Sequence, residues 1–296
     1  TKKQKYIKMV EEIDDSNLFE LKNEYMLGNY QSAINHSENI QPSSQRQKTL
    51  IKFYVYRAMV AQGNFLPVLD EVSDNSEPEL KAVRLLADYL SDANDSIIAK
   101  VKELLKDGEA AILDPVRLVL AQVYVNFGDD ENALRLLRGS NDLECLALSV
   151  QVYLRMNRPD LAEKELKTMQ NIDDDHTCTQ LATAWLFIAA GGDKYQDAYY
   201  IFHELGEKFS PTPMLLNSMA VCNIHMEKFE QAEGDLLDAM QKNNKDPDTL
   251  ANMVVVAQHR GKSDDIVKRY LKQLETVAPQ HAWLKAYQSA MASFDA

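Results

Sequence analysis

Apolar residues recur every three or four positions along most of this chain, in stretches of helix length broken by short polar joints. The stretch LGNYQSAI, Leu27 to Ile34, shows the form of a joint: Gly-x-aromatic-x-x-Ala. Glycine lets a first helix end, the aromatic wedges between two helices, and the alanine permits close approach. A small or apolar marker recurs at that place: Ala33 in GNYQSA, Val68 in GNFLPV, Ile97 in SDANDSI, Ala133 in GDDENA, Ala162 in NRPDLA, Ala198 in DKYQDA, Ala232 in EKFEQA and Ile266 in GKSDDI. Successive markers lie 35, 29, 36, 29, 36, 34 and 34 residues apart, close to the roughly 34-residue period of tetratricopeptide repeats.

The helices on either side of each joint are amphipathic. Ala133, Leu134, Leu136 and Leu137 mark a second helix, while Leu120, Ala121 and Tyr124, then Leu146, Val150 and Tyr153, mark the buried faces of first helices. Such a unit buries its apolar face only by stacking on its neighbours. The expected fold is all-α: a tetratricopeptide-like α-solenoid of about eight helical hairpins in a strongly curved, right-handed superhelix. Pro42, Pro78, Pro115, Pro211, Pro247 and Pro279 fall near unit boundaries, and Pro67 and Pro159 sit in the first turn of second helices, where proline is tolerated. AAGGDKY, around Gly191 and Gly192, reads as a widened turn. No linker or low-complexity segment interrupts the pattern, so a single solenoid domain over 1–296 is expected, with an N-terminal extension at 1–15, repeats over 16–275 and a C-terminal capping helix over 276–296, where Trp283 and Tyr287 stand.

Composition narrows the function. Forty-five acidic residues against 32 basic ones give a net charge of -13, which repels nucleic acid and anionic membrane, and the linear sequence shows no local basic patch of useful size. No apolar run reaches the roughly 18 to 20 residues of a membrane span, and the opening TKKQKYIKMVEEIDDS has no signal-peptide core, so membrane association is expected through partners and not by direct insertion. Cys145, Cys178 and Cys222 are odd in number, far apart and set in apolar helical patterns, as buried thiols in a reducing cytosol would be. There, the N-x-S sites at Asn35 and Asn94 stay unglycosylated.

Candidate chemistry is sparse. His36, His176, His203, His225, His259 and His281 never pair at metal-ligand spacing, and HELGE, His203 to Glu207, lacks the second histidine of a zinc-protease helix. Asp173, Asp174 and Asp175 suit a solvated inter-helix loop, and the one glycine doublet lacks a phosphate-loop pattern. No serine or cysteine stands in a nucleophile motif. No catalytic residue, metal or cofactor is expected, and the chain reads as a non-enzyme.

A solenoid of this class binds along the wall lined by its first helices. Counting from the markers, the outward positions on that wall are Phe53, Arg57, Val60, Gln122, Val125, Gln151, Leu154, Phe187, Val221, Ile224, Val255 and Gln258. Apolar residues with a few amides suit an extended or helical peptide, or a partner domain held in the arc; the alternative is that they pack against neighbouring helices. A co-chaperone clamp for a C-terminal carboxylate needs several cations here, and only Lys22 and Arg57 are placed to serve.

Three stretches carry a more specific likeness: PELKAVRLLADYL (Pro78 to Leu90), LECLALSVQVYLRMNRPDLAEKELKTMQ (Leu143 to Gln170) and TQLATAWLFIAAGGDKYQDAYYIFHEL (Thr179 to Leu205). With LFELKNEYMLGNYQSAIN and LANMVVVAQHRGK, they resemble the epsilon subunit of coatomer, the COPI vesicle coat, from about Leu18 to the end. The resemblance implies a non-catalytic coat subunit that binds and stabilises the C-terminal domain of the alpha subunit and serves Golgi-to-ER retrograde and intra-Golgi transport. It departs at residues 1–15, which are charged where animal members carry an Ala-, Pro- and Gly-rich leader. The competing reading is a tetratricopeptide peptide-binding adaptor or co-chaperone of another pathway.

Overall fold

The computed structural model describes residues 18–92, 94 and 96–294, so the extension at 1–15 lies outside the described residues. Among them are 17 α-helices, one short 3-10 turn (Ala110–Ile112) and no strand. The first hairpins pair α1 (Phe19–Met26) with α2 (Tyr30–Ser37), α3 (Gln45–Ala61) with α4 (Leu66–Glu71), and α5 (Pro78–Ser91) with α6 (Ser96–Leu104). Then come α7 (Asp114–Phe127) with α8 (Asp130–Leu137), α9 (Leu143–Arg155) with α10 (Pro159–Ile172), and α11 (Thr177–Ala190) with α12 (Lys194–Phe209). The last are α13 (Pro213–His225) with α14 (Phe229–Lys242) and α15 (Pro247–His259) with α16 (Asp264–Val277), followed by α17 (Ala282–Phe294). These are the eight hairpins that the spacing predicts, and α17 carries Trp283 and Tyr287.

Six joints are built alike. Gly28, Gly63, Gly128, Asn157, Glu227 and Gly261 stand just past the end of a first helix with φ between 56° and 88°. The next residue donates its N–H to the carbonyl five positions back: Asn29 to Glu24, Asn64 to Met59, Asp129 to Tyr124, Arg158 to Tyr153, Lys228 to Asn223 and Lys262 to Ala257, at 2.8–3.0 Å. This is a left-handed closure that satisfies a carbonyl the helix leaves unpaired. Helix starts are equally local. Ser44, Asp129, Asp142, Thr212 and Asp246 accept an N–H from the first turn that follows, while Pro78, Pro159, Pro213 and Pro247 occupy the first helical position.

The markers pack as the spacing requires. Ala33, Val68, Ala133, Ala162, Ala198 and Ala232 are fully buried, and Ile97 nearly so. The last one is displaced: Ile266 is half-buried, and Val267 occupies the buried fourth place of its helix, as Ala232 does in α14. In GKSDDIV the joint is one residue longer before the helix begins, which rotates the register by one position.

The chain divides into two compact units, Thr1–Ala182 and Thr183–Ala296. In the first, consecutive first helices α3, α5, α7 and α9 pack side by side, and Phe53, Leu120, Val116 and Val83 lie in one continuous core. In the second, α13 packs on α15, around Leu236, Leu250, Met253 and Leu274. Polar contacts step between hairpins at the joints: Gln62 donates to Gln31 and Arg155 pairs with Asp130 in the first unit, as Lys228 donates to Gln196 and Arg260 pairs with Glu233 in the second.

Glu227 holds a side chain on a left-handed backbone, and its replacement by glycine is expected to raise stability by about 1 kcal/mol. Gly128→Ala, at φ 88° with open space around it, should lower stability by a similar amount. Urea unfolding of both variants measures this, and a destabilised Glu227→Gly chain would contradict the shared joint. Ala198→Leu should cost roughly 1–3 kcal/mol by forcing α12 from its neighbours; an unchanged thermal midpoint would show that the joint has room.

Candidate partner-binding surface

On α3, Phe53, Arg57 and Val60 follow one another at helical spacing and share a face. That face is interior: the three residues are 1, 3 and 5% exposed. Arg57 Nη1 donates to Glu144 Oε2 at 2.8 Å, and the Tyr54 hydroxyl donates to the other oxygen of the same carboxylate. The guanidinium carbon lies 4.3 Å from the Tyr25 ring centroid and 5.0 Å from that of Phe53, so aromatic faces shield the charge from water. Glu144 opens α9, three hairpins further along the chain.

Two more contacts of this reach occur at the ends of the first unit. Thr177, at the start of α11, donates to Asn23 of α1 at 2.6 Å, and Cys178 Sγ lies 3.0 Å from Met26 Sδ. A linear solenoid touches only its neighbours. Here residues 87 to 154 positions apart meet, and the first-helix wall of this unit closes on itself. Phe53, Arg57 and Val60 are therefore corrected from a displayed groove to a closed interior.

Burial pushes the Glu144 carboxyl upward, but the Arg57 charge and the hydrogen bonds from Tyr54 and Arg57 outweigh it and hold the group below the usual carboxylate range. Burial also raises Tyr25 and Tyr54, so both hydroxyls stay protonated. Tyr25, Tyr54 and Glu144 escape sequence reading because their partners are distant; the one local hint is an acid, Glu144, inside the apolar run LECLALSV.

The remaining predicted positions are accessible in varying degree. In the first unit, Gln151 is exposed and Gln122, Val125 and Leu154 are half-buried on α7 and α9; Arg155 Nη1 donates to the Val125 carbonyl at 3.0 Å and joins those helices. In the second unit, Phe187 is half-buried beneath Lys194, whose ammonium lies 4.7 Å from the ring centroid. Val221 and Ile224 on α13 are half-buried, as is Val255 on α15, and Gln258 is exposed. Asn252 Nδ2 donates to Asn217 Oδ1 at 2.8 Å, binding α15 to α13 on this side, and Gln258 reaches the Tyr287 hydroxyl of α17 at 3.5 Å. The second unit thus presents a stripe of apolar side chains with amides among them, running across α13 and α15 towards Tyr287.

Among the described residues no group of three or more His, Cys, Asp or Glu side chains is placed to hold a metal ion. Cys145, Cys178 and Cys222 are buried free thiols; burial pushes Cys222 up to about 12 and the other two higher than an ordinary thiol. All three stay protonated and unreactive at neutral pH.

Removing one member of the buried pair strands the other. Arg57→Met or Glu144→Leu alone should cost about 3–5 kcal/mol, whereas the double variant Arg57→Met, Glu144→Leu should lose much less than the sum. A double-mutant cycle in urea decides, and additive losses would refute a coupled pair. Since the folded pKa of Glu144 lies below its ordinary 4.5, the pair contributes fully above that pH, and its contribution fades as pH falls through the lowered value. Glu144→Gln should remove that part of the acid sensitivity.

Comparison with known proteins agrees with this architecture. The family model for the coatomer epsilon subunit matches residues 14–296. Coatomer subunit epsilon-1 of Arabidopsis thaliana is 42% identical over 280 residues, covering 94% of each chain, and coatomer subunit epsilon of Dictyostelium discoideum is 36% identical over 96% of this chain and 98% of its own. A tetratricopeptide repeat protein of Parabacteroides merdae, solved by crystallography, superposes with a TM-score of 0.60 at 13% identity, over 87% of this chain and 96% of that one, a likeness of fold alone. With hairpins, joints and extended sequence identity in agreement over nearly its whole length, the chain belongs to the coatomer epsilon subunit family.

Proposed function

We propose that this chain is a non-catalytic subunit of the COPI coat that binds and stabilises the C-terminal domain of the alpha subunit as a one-to-one heterodimer. Its site of action is the cytoplasmic face of Golgi membranes, in Golgi-to-ER retrograde and intra-Golgi transport, and it reaches the membrane through the coat. No helix among the described residues is long and apolar enough to cross a bilayer. The observation that carries the reading is the accessible first-helix stripe of the second unit, Val221, Ile224, Val255 and Gln258, with Phe187 in that unit; the first unit has accessible first-helix positions of its own at Gln122, Val125, Gln151 and Leu154. Half-buried aliphatic side chains interspersed with amides match the composition of a protein interface core with hydrogen-bonding groups beside it.

Calorimetric titration of the intact chain with the C-terminal domain of the alpha subunit tests this. Ile224→Glu is expected to weaken binding by at least about tenfold, because a carboxylate must be desolvated in the interface, and Leu154→Glu should act in the same direction. The helical circular-dichroism signal should survive both changes. Undiminished binding by both folded variants would remove the stripe as the contact surface, and micromolar binding of many short peptides without the alpha domain would favour a general peptide adaptor.

A further inference from the structure

Basic side chains are the minority in this chain, 32 against 45 acidic ones, and several are absorbed in ion pairs, as Arg260 and Lys262 both are on Glu233. Of those in the second unit that are not, three lie together. Lys245, from the loop between α14 and α15, and Arg269 and Lys272, one turn apart on α16, line a cleft of about 380 Å³ together with Gln273, Thr276 and Val277. None of the three cations is ion-paired among the described residues, and all are exposed. Gln273 Nε2 donates to the Asn244 carbonyl at 2.8 Å, which ties the loop to α16 and holds Lys245 beside the other two. The Arg269 guanidinium carbon lies 5.2 Å from the Tyr270 ring centroid, which restrains its side chain. Like charges so grouped repel one another, and an anionic partner turns that repulsion into attraction.

We propose that this cleft docks an acidic peptide segment of a partner protein, with carboxylates on Lys245, Arg269 and Lys272 and an apolar side chain against Val277. Val277 is 37% exposed at the cleft wall, an apolar contact that a bare anion would not use. The cleft also exceeds what a single phosphate fills. An anionic bilayer gives on the order of 1 kcal/mol per nearby Lys or Arg, and recognition there takes clusters of about four to eight. Three cations on a chain of net charge -13 fall short of that, whereas a peptide seats one carboxylate on each cation through charge-assisted hydrogen bonds. The linear sequence hides the patch, because a whole helix, α15, separates Lys245 from Arg269.

Fluorescence anisotropy of the intact chain with a fluorescein-labelled peptide of alternating Asp, Glu and Leu, at about 0.1 M salt, tests the proposal. Saturable binding is expected, weakened about tenfold or more in the triple variant Lys245→Gln, Arg269→Gln, Lys272→Gln. The variant Lys48→Gln, Lys52→Gln, Lys164→Gln, which removes exposed lysines of the first unit, should bind as the parent does. These neutral changes at exposed positions keep the fold, which the thermal midpoint checks. The proposal is overturned by absent binding, by equal binding to the cleft variant, by full displacement with millimolar inorganic phosphate, or by a defect confined to sedimentation with phosphatidylserine vesicles.

Discussion

The architecture depends on two helices approaching each other at a residue with almost no side chain. Ala33, Ala133, Ala162, Ala198 and Ala232 have no exposed surface, and each stands in the first turn and a half of a second helix, where a larger residue would hold the hairpin apart. The approach requires the chain to reverse in two to four residues, which the left-handed position after the first helix accomplishes at six of the eight joints. Asn157 and Glu227 show that the demand comes from the backbone and is not peculiar to glycine: the same hydrogen bond forms over a side chain that tolerates the conformation less well.

Such local rules explain why most of the fold was legible. Helix starts, joints and the eight-hairpin count follow from residues within a few positions of one another. Ile266 was misplaced by one because its joint has the polar run GKSDD, with neither an aromatic wedge nor a small residue to set the register. The first-helix wall was legible only in part. Periodicity puts Phe53, Arg57 and Val60 on a common face, but it cannot say that the face meets α9 and its Glu144. The same limit hides the cations of Lys245 and Arg269, which only the hairpin brings together.

Arg57 and Glu144 also illustrate what a buried charge does well. The pair's net contribution is modest, since desolvation offsets much of the attraction, but any arrangement of the first unit that separates the two leaves a charge under aromatic rings. A closed wall of interchangeable leucines could slide; one with a single guanidinium and its carboxylate has one seating. Hydroxyl and amide partners at Tyr54, Asn23 and Thr177 add further points of registration.

That closure has a consequence for synthesis. Asn23 finds Thr177 only after 154 further residues have been made, and at roughly 5–20 residues per second the ribosome takes on the order of ten to thirty seconds over them. During that interval α1 leaves the exit tunnel with the polar and sulfur-bearing side of its helix uncovered, while α3 to α8 stack behind it by nearest-neighbour contacts. The hairpin of α1 and α2 is thus held early by its contacts with α3, while the side of α1 that carries Asn23 and Met26 is among the last surfaces of the first unit to be covered.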